Sequence, residues 1–258
     1  MNRFLDKLRG GGIALGQMVM DLFSPGIGPM IAACDLDFVI YDMEHGRCDI
    51  GLMSQMIASC RGTGITPLAR VPDVESAPLS RILDLGAMGV MVPRVETRAQ
   101  TERIVTELKY APQGRRGVAP GLAHDMYQPK GAAYFPQANA ETAVIVLVET
   151  VKAFENLEEI VSVPGVDVAW LGHYDLTTSM GIPAQFDHPR FLEAMQRLVA
   201  TCQKHNVAAG FLPASPAIAI ESIRGGFRAI SLGSDVSVYM DGLRAFARDT
   251  RISGASLL

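Results

Sequence analysis

Lysine is scarce in this chain. Five occur in 258 residues: Lys7, Lys109, Lys130, Lys152 and Lys204. None lies inside an apolar strand-like run, where loss of water lowers an amine's pKa for Schiff-base chemistry. Carbonyl chemistry here would therefore need a metal as electron sink. Cysteine is scarcer still, and Cys34, Cys48, Cys60 and Cys202 form no CxxC pair. That spacing disfavours a cysteine-built zinc site and reads as free thiols of a reduced cytosol. There is no block of Lys and Arg, and the net charge of −4 gives no general attraction to nucleic acid or anionic membrane. No apolar run approaches the ~18 residues of a membrane span. The N-terminus lacks the apolar core of a signal peptide. No GxGxxG follows the first apolar run. The expectation is a cytoplasmic protein without membrane or nucleic-acid partners.

What is present is alternation. Eight short, nearly continuous apolar runs read as strands buried on both faces: Ile13–Val19, Asp37–Tyr41, Thr66–Val71, Gly89–Val92, Ala143–Glu149, Val166–Leu171, Val207–Phe211 and Arg228–Leu232. Between them lie helical patterns at Gly28–Cys34, Ile50–Arg61, Ser76–Leu85, Arg98–Lys109, Ala153–Ser162, Pro189–His205, Ala217–Arg224 and Val236–Arg248. Eight βα repeats predict a (β/α)8 barrel occupying residues 1–258 as a single domain, with an open doubly wound sheet as competitor. Gly10, Gly11 and Gly12 read as a flexible lead-in. Residues 111–140, rich in Pro, Gly and Gln, read as a long binding loop at the catalytic face. Residues 177–188 delay the helix after Asp175.

In a barrel, polar residues at the C-terminal strand ends are the site candidates. The first strand leads to Gln17 and Asp21, the second to Asp42, Glu44 and His45, the third to Arg70 and the fourth to Pro93 and Arg94. The fifth and sixth deliver Glu149 and Asp175. Two carboxylates converging from adjacent strands suit a hard divalent cation, with positions left for substrate and water. Capping of the following helices, or pairing with a basic residue, is the structural competitor. His45 suits proton transfer, with Asp42 near enough in sequence to orient its ring. Arg70 either stabilises an oxyanion or pairs with a buried carboxylate. Asp84 reads locally as a solvated helix-end carboxylate. Gly233 and Ser234 resemble a barrel phosphate cradle only weakly.

Taken in order, DFVIYDMEHG, PLARVP, LDLGAMGVMVPRVET, the Gly-Arg-Arg-Gly of the long loop, VETVKAFENLEEI, VPGVDVAWLGHYDL and GFRAISLGSD resemble the HpcH/HpaI aldolase family, the metal-dependent class II pyruvate aldolases. The resemblance runs from about Phe4 to Ala247. It implies a barrel whose last helix is exchanged between subunits of a homo-hexamer built as a trimer of dimers. It implies that Glu149 and Asp175 bind Mg²⁺, Mn²⁺ or Co²⁺, which a 2-oxo acid such as pyruvate chelates. Arg70 would stabilise the enolate. His45 would position or deprotonate a water at the metal, with Asp42 orienting it, and Asp84 would enter from a neighbouring subunit. Amides near Tyr174 and Asp175 would take the substrate carboxylate. The reaction implied is retro-aldol cleavage of a 4-hydroxy-2-oxo acid to pyruvate and an aldehyde, and its reverse. Oxaloacetate decarboxylation or C–C bond formation with another acceptor is the alternative within the same chemistry. A non-enzymatic acid-binding barrel and a phosphosugar isomerase are the readings outside it.

The chain departs from that pattern at named places. Leu147, beside the substrate, stands where many relatives carry Gln. The usual Gly-Pro-x-Asp-Leu is Gly-His-Tyr-Asp-Leu, so His173 and Tyr174 bring bulk to the carboxylate pocket or to a larger substrate. Gly121, Leu122, Ala123 and His124 replace an Ala-Arg-Ala-Ser-like stretch.

Overall fold

The apolar runs become strands with both faces covered. The computed structural model describes residues 2–74 and 79–255, with side chains through residue 252. Its strands are β1 (Ala14–Val19), β2 (Phe38–Asp42), β3 (Thr66–Arg70), β4 (Gly89–Val92), β5 (Ala143–Val148), β6 (Val168–Leu171), β7 (Ala208–Phe211) and β8 (Ala229–Ser234). All pair in parallel in chain order, and β8 closes on β1. Each lies within two residues of its predicted bounds. The closed barrel replaces the open-sheet competitor.

Helices α1 (Arg3–Arg9), α2 (Ile27–Ala33), α3 (Ile50–Ser59), α4 (Leu79–Asp84), α5 (Arg98–Leu108), α6 (Tyr134–Glu141), α7 (Val151–Glu155), α8 (Leu157–Val161), α9 (His173–Ser179), α10 (Pro189–Lys204), α11 (Pro216–Arg224) and α12 (Asp235–Ala255) complete the chain. The predicted helix Ser76–Leu85 begins at residues outside those described, and its described part is α4. The predicted helix Ala153–Ser162 is two pieces, α7 and α8. They meet at Asn156, whose side-chain amide donates to the Glu96 carbonyl at 2.8 Å instead of leaving the helix uninterrupted.

Two cores follow from the closure. One lies between strands and helices. The other fills the barrel interior with Met18, Phe38, Ile40, Leu68, Met91 and Trp170. Gly210 makes room for that interior: a Cβ there would sit 2.2 Å from the Trp170 ring. The N-terminal end of the barrel is plugged by α1. Phe4 and Leu5 are buried, and Phe4 meets Phe38 edge-on at 4.9 Å. Arg3 and Lys7 both reach Asp37 at 2.8 Å, and Asp37 is itself buried. The residues before Gly10 are therefore a structural plug, ahead of the glycine lead-in to β1. One short apolar face on seven residues is too weak a pattern to announce this.

Residues 111–140 are also relocated. They follow α5, not β4 directly, so they form a helix-to-strand connection at the N-terminal end of the barrel. Asn2 donates to the carbonyls of Met88 and Glu141, just ahead of β4 and β5. Arg116 grips Asp84 at 2.7 Å, and α6 occupies the aromatic-bearing stretch. Within one chain this segment lies at the opposite end from Glu149.

Candidate active site

The C-terminal strand ends surround a cavity of about 380 Å³. Glu149, Asp175, Arg70, His45, Leu147 and Tyr174 all line it. Those six sequence candidates are brought together. Asp42 lies just behind Arg70. Asp84 is not brought in: it sits at the far end of α4, paired with Arg116.

Glu149 follows β5 directly and is 3% exposed. Val148 faces Leu171 in the parallel ladder, which sets Glu149 beside Gly172. A Cβ on Gly172 would lie 2.2 Å from Glu149 Oε2, so only glycine leaves that carboxylate oxygen its place. Glu149 Oε1 accepts the Arg94 backbone N–H at 2.7 Å. Arg94 delivers that N–H from the left-handed region, at φ 54, which costs a non-glycine residue about 1–2 kcal/mol. Sequence reading placed Arg94 at a strand end but had no signal for its backbone role.

Asp175 does not end β6. It lies in the first turn of α9, which ends at Ser179 and so takes only the start of the 177–188 stretch. The long helix after it begins at Pro189, as expected, and Asp175 is exposed at the cavity mouth. Burial pushes Glu149 up to about 7, the charges of Glu44 and Asp175 add to this, and the Arg94 N–H opposes it. Burial likewise pushes Glu44 up, against the pull of Arg70. Three carboxylates thus crowd one end of the barrel. Glu44 is paired with Arg70, and among the described residues no three or more His, Cys, Asp or Glu are placed to hold a metal together. The two oxygen donors Glu149 and Asp175 fit a hard divalent cation whose other positions go to substrate and water.

The same shift predicts how the cation-free protein responds to pH. The ordinary value for Glu149 is 4.5, and the folded value is near 7. A raised carboxylate value means that the folded state holds the proton more tightly. Stability is then fully present below about pH 4.5 and falls as pH rises to about 7. The loss amounts to roughly 3 kcal/mol. Thermal melts in EDTA from pH 4.5 to 8 should show this decline in the parent minus that in Glu149→Gln. Equal pH profiles for the two proteins would contradict it.

Asp42 differs from its expected role. Its Oδ1 accepts Arg70 Nε at 2.7 Å and the Glu44 N–H at 2.9 Å. Its Oδ2 accepts Arg70 Nη2 at 2.7 Å and the His45 N–H at 3.2 Å. Both oxygens are saturated, so no lone pair remains to orient the His45 ring. Burial alone would raise Asp42, but the Arg70 hydrogen bonds and charge, with the two amides, hold it below the usual range. Asp42 instead fixes Arg70, with which it is in register across β2 and β3. The nearest carboxylate to the His45 ring is Glu44, at 3.8 Å.

One buried lysine was missed. Lys109 is 4% exposed and burial lowers its pKa. Its Nζ donates to the Asn139 and Thr142 carbonyls at 2.7 and 2.6 Å, ahead of β5 and away from the cavity. The Schiff-base route stays disfavoured, on grounds of position rather than composition.

A model of the HpcH/HpaI aldolase/citrate lyase family matches residues 20–242. The chain is 31% identical over 248 residues to a hydroxypyruvate/pyruvate aldolase from Pseudomonas aeruginosa, covering 96% of this chain and 92% of the relative. It is 34% identical over 253 residues to a 4-hydroxy-2-oxovalerate aldolase from Novosphingobium aromaticivorans, covering 95% and 94%. A solved aldolase/citrate lyase family structure from Burkholderia cenocepacia superposes with a TM-score of 0.90 at 29% identity, covering 97% of this chain and 100% of the other.

Proposed function

The chain belongs to the HpcH/HpaI aldolase/citrate lyase family, and from that premise we propose how its strand-end residues divide the work. It is a carbon–carbon lyase, an aldolase that splits a 4-hydroxy-2-oxo acid into pyruvate and an aldehyde and joins them in reverse. The observation that carries the assignment of roles is the convergence of Glu149, Asp175, Arg70 and His45 on one cavity.

Glu149 and Asp175 hold a divalent cation, Mg²⁺, Mn²⁺ or Co²⁺. When bound, it supplies Lewis acidity toward the 2-oxo group. Arg70 donates to the oxygen on which the enolate charge develops. Its Nε and Nη2 donate to Asp42, and Nη1 lies 3.0 Å from Glu44 as an ion pair, which fixes the guanidinium before the reaction begins and leaves N–H groups on Nη1 and Nη2 for substrate. His45, half exposed, moves the proton of the 4-hydroxyl through water. Amides in the first turn of α9, unpartnered within the helix, take the substrate carboxylate near Tyr174 and Asp175. Leu147 and Trp170 keep the cavity floor dry.

The working unit is a homo-oligomer, a hexamer built as a trimer of dimers. Support comes from α12, which turns Val238, Tyr239, Leu243 and Phe246 to solvent, as a helix exchanged with a partner would. In that assembly Asp84 enters a neighbour's site. The four unbridged cysteines agree with a reducing cytoplasm, and no described helix is long and apolar enough to cross a membrane.

Pyruvate release from 4-hydroxy-2-oxo acids, followed by reduction to lactate, tests the reading. Release should stop in EDTA and return with Mn²⁺. Full activity in EDTA would sink it. Oxaloacetate in the same assay separates decarboxylation from aldol cleavage.

A further inference from the structure

The catalytic cavity is not the only opening on this face. A second cavity of about 370 Å³ lies beside it, between α9, α10 and α11. His173, Tyr174 and Ala214 line both. The dividing wall is aromatic. The His173 ring lies 4.7 Å from Tyr174, 5.2 Å from Phe186 and 5.2 Å from Phe211, and Tyr174 meets Phe186 edge-on at 5.0 Å. Ala214, whose side chain is a single methyl group, lines both cavities beside these rings.

We propose that this aromatic wall and the groove behind it select the aldehyde: the enzyme takes acceptors whose tail is apolar, aliphatic or aromatic, and seats the tail across Ala214. The inference rests on the aldolase reading above. Three observations carry it. The groove adjoins the cavity, with His173, Tyr174 and Ala214 lining both. Beyond the wall it is lined by side chains such as Leu192, Met195 and Ile218, and no lysine or arginine lines it. Tyr174 and Ile218 are 60% and 41% exposed, open faces that an apolar tail would cover. A tail ending in a carboxylate would leave its charge there without a cation. A polyhydroxylated tail would find only Gln196, Glu221 and Ser222 as polar side chains beyond the wall, and the Glu221 carboxylate further disfavours an acidic tail.

The test is the condensation of pyruvate with acetaldehyde, butanal, hexanal, benzaldehyde and an aldehyde of hexanal's length that ends in a carboxylate. The expected kcat/KM rises up to about fourfold per added methylene, from the transfer of each into an apolar groove. The carboxylate-ended aldehyde should fall at least about tenfold below hexanal. Ile218→Asp, a change at a partly exposed position, should cut the ratio of hexanal to acetaldehyde by about tenfold. Phe186→Ala should lower the same ratio. A flat chain-length profile, a carboxylate tail preferred over hexanal, or a partner's α12 seated between α10 and α11 in a crystal would each overturn the proposal. Exchange of the pyruvate methyl protons with deuterium, followed without any aldehyde, keeps the two readings apart. Exchange with a flat profile refutes the tail groove alone. No exchange refutes the aldolase roles and the tail groove with them.

Discussion

Replacing Glu149 with Gln lowers pyruvate release by about 10³-fold or more, because the Lewis acid that its carboxylate holds is worth several kcal/mol at the transition state. The same change makes the cation-free protein more stable. Glu149 is buried with a value near 7 and is surrounded by Glu44 and Asp175. At pH 8 its ionised form destabilises the fold by roughly 3 kcal/mol, and a neutral amide of the same shape removes that burden. The amide oxygen still accepts the Arg94 N–H, so the local backbone holds. The expected result is an inactive enzyme that melts higher in EDTA at pH 8, with the advantage gone at pH 4.5. Steady-state kinetics and paired thermal melts measure both halves. A variant that is inactive but less stable at pH 8 would show that Glu149 serves the fold instead.

Arg70 gives the second large effect, and it has the opposite sign for stability. Its side chain is 9% exposed, and the Asp42 side chain is fully buried. Arg70→Ala leaves Asp42 with two backbone donors and no counter-charge. Removing one partner of a buried pair costs about 3–5 kcal/mol, a drop in Tm on the order of 10 °C for a chain of this size. Arg70→Lys keeps the charge but not the fork that meets both Asp42 oxygens. It should fold and still lose about 10²-fold in kcat, since a displaced donor no longer matches the developing oxyanion. Asp42→Asn should resemble Arg70→Lys in kcat while leaving the His45 proton transfer in place, because Asp42 meets His45 only through its backbone N–H. An effect of Asp42→Asn on the proton-transfer step alone would instead make Asp42 the orienting partner of His45.

These particulars explain what could be read in advance. Strands such as β4 and β5 are buried on both faces, so their residues are apolar without interruption and their bounds are plain in the sequence. Glu149 and Arg70 were visible because each breaks such a run at its C-terminal end. The role of Asp42 was not visible, because it depends on the register that sets Asp42 opposite Arg70 across two strands distant in sequence. The plug helix α1 was missed for a related reason: Phe4 meets Phe38 and Thr66, far from it in sequence, rather than its neighbours. Lys109 reads as an ordinary helix-end lysine until the Asn139 and Thr142 carbonyls close over it. Residues 111–140 were assigned to the wrong end because composition marks a loop but not which end of the barrel it crosses. His173 and Tyr174 were noticed as departures, and only the placement of Phe186 and Phe211 beside them gives those departures a wall to build.

The central claim is that Glu149 and Asp175 hold a divalent cation facing Arg70. A crystal grown with Mn²⁺ and oxalate, a mimic of the enolate, tests it through anomalous scattering at the manganese edge. The account predicts a manganese peak bonded to both carboxylates, with oxalate between it and Arg70. Oxalate seated against Arg70 with no manganese at Glu149 and Asp175 would contradict it.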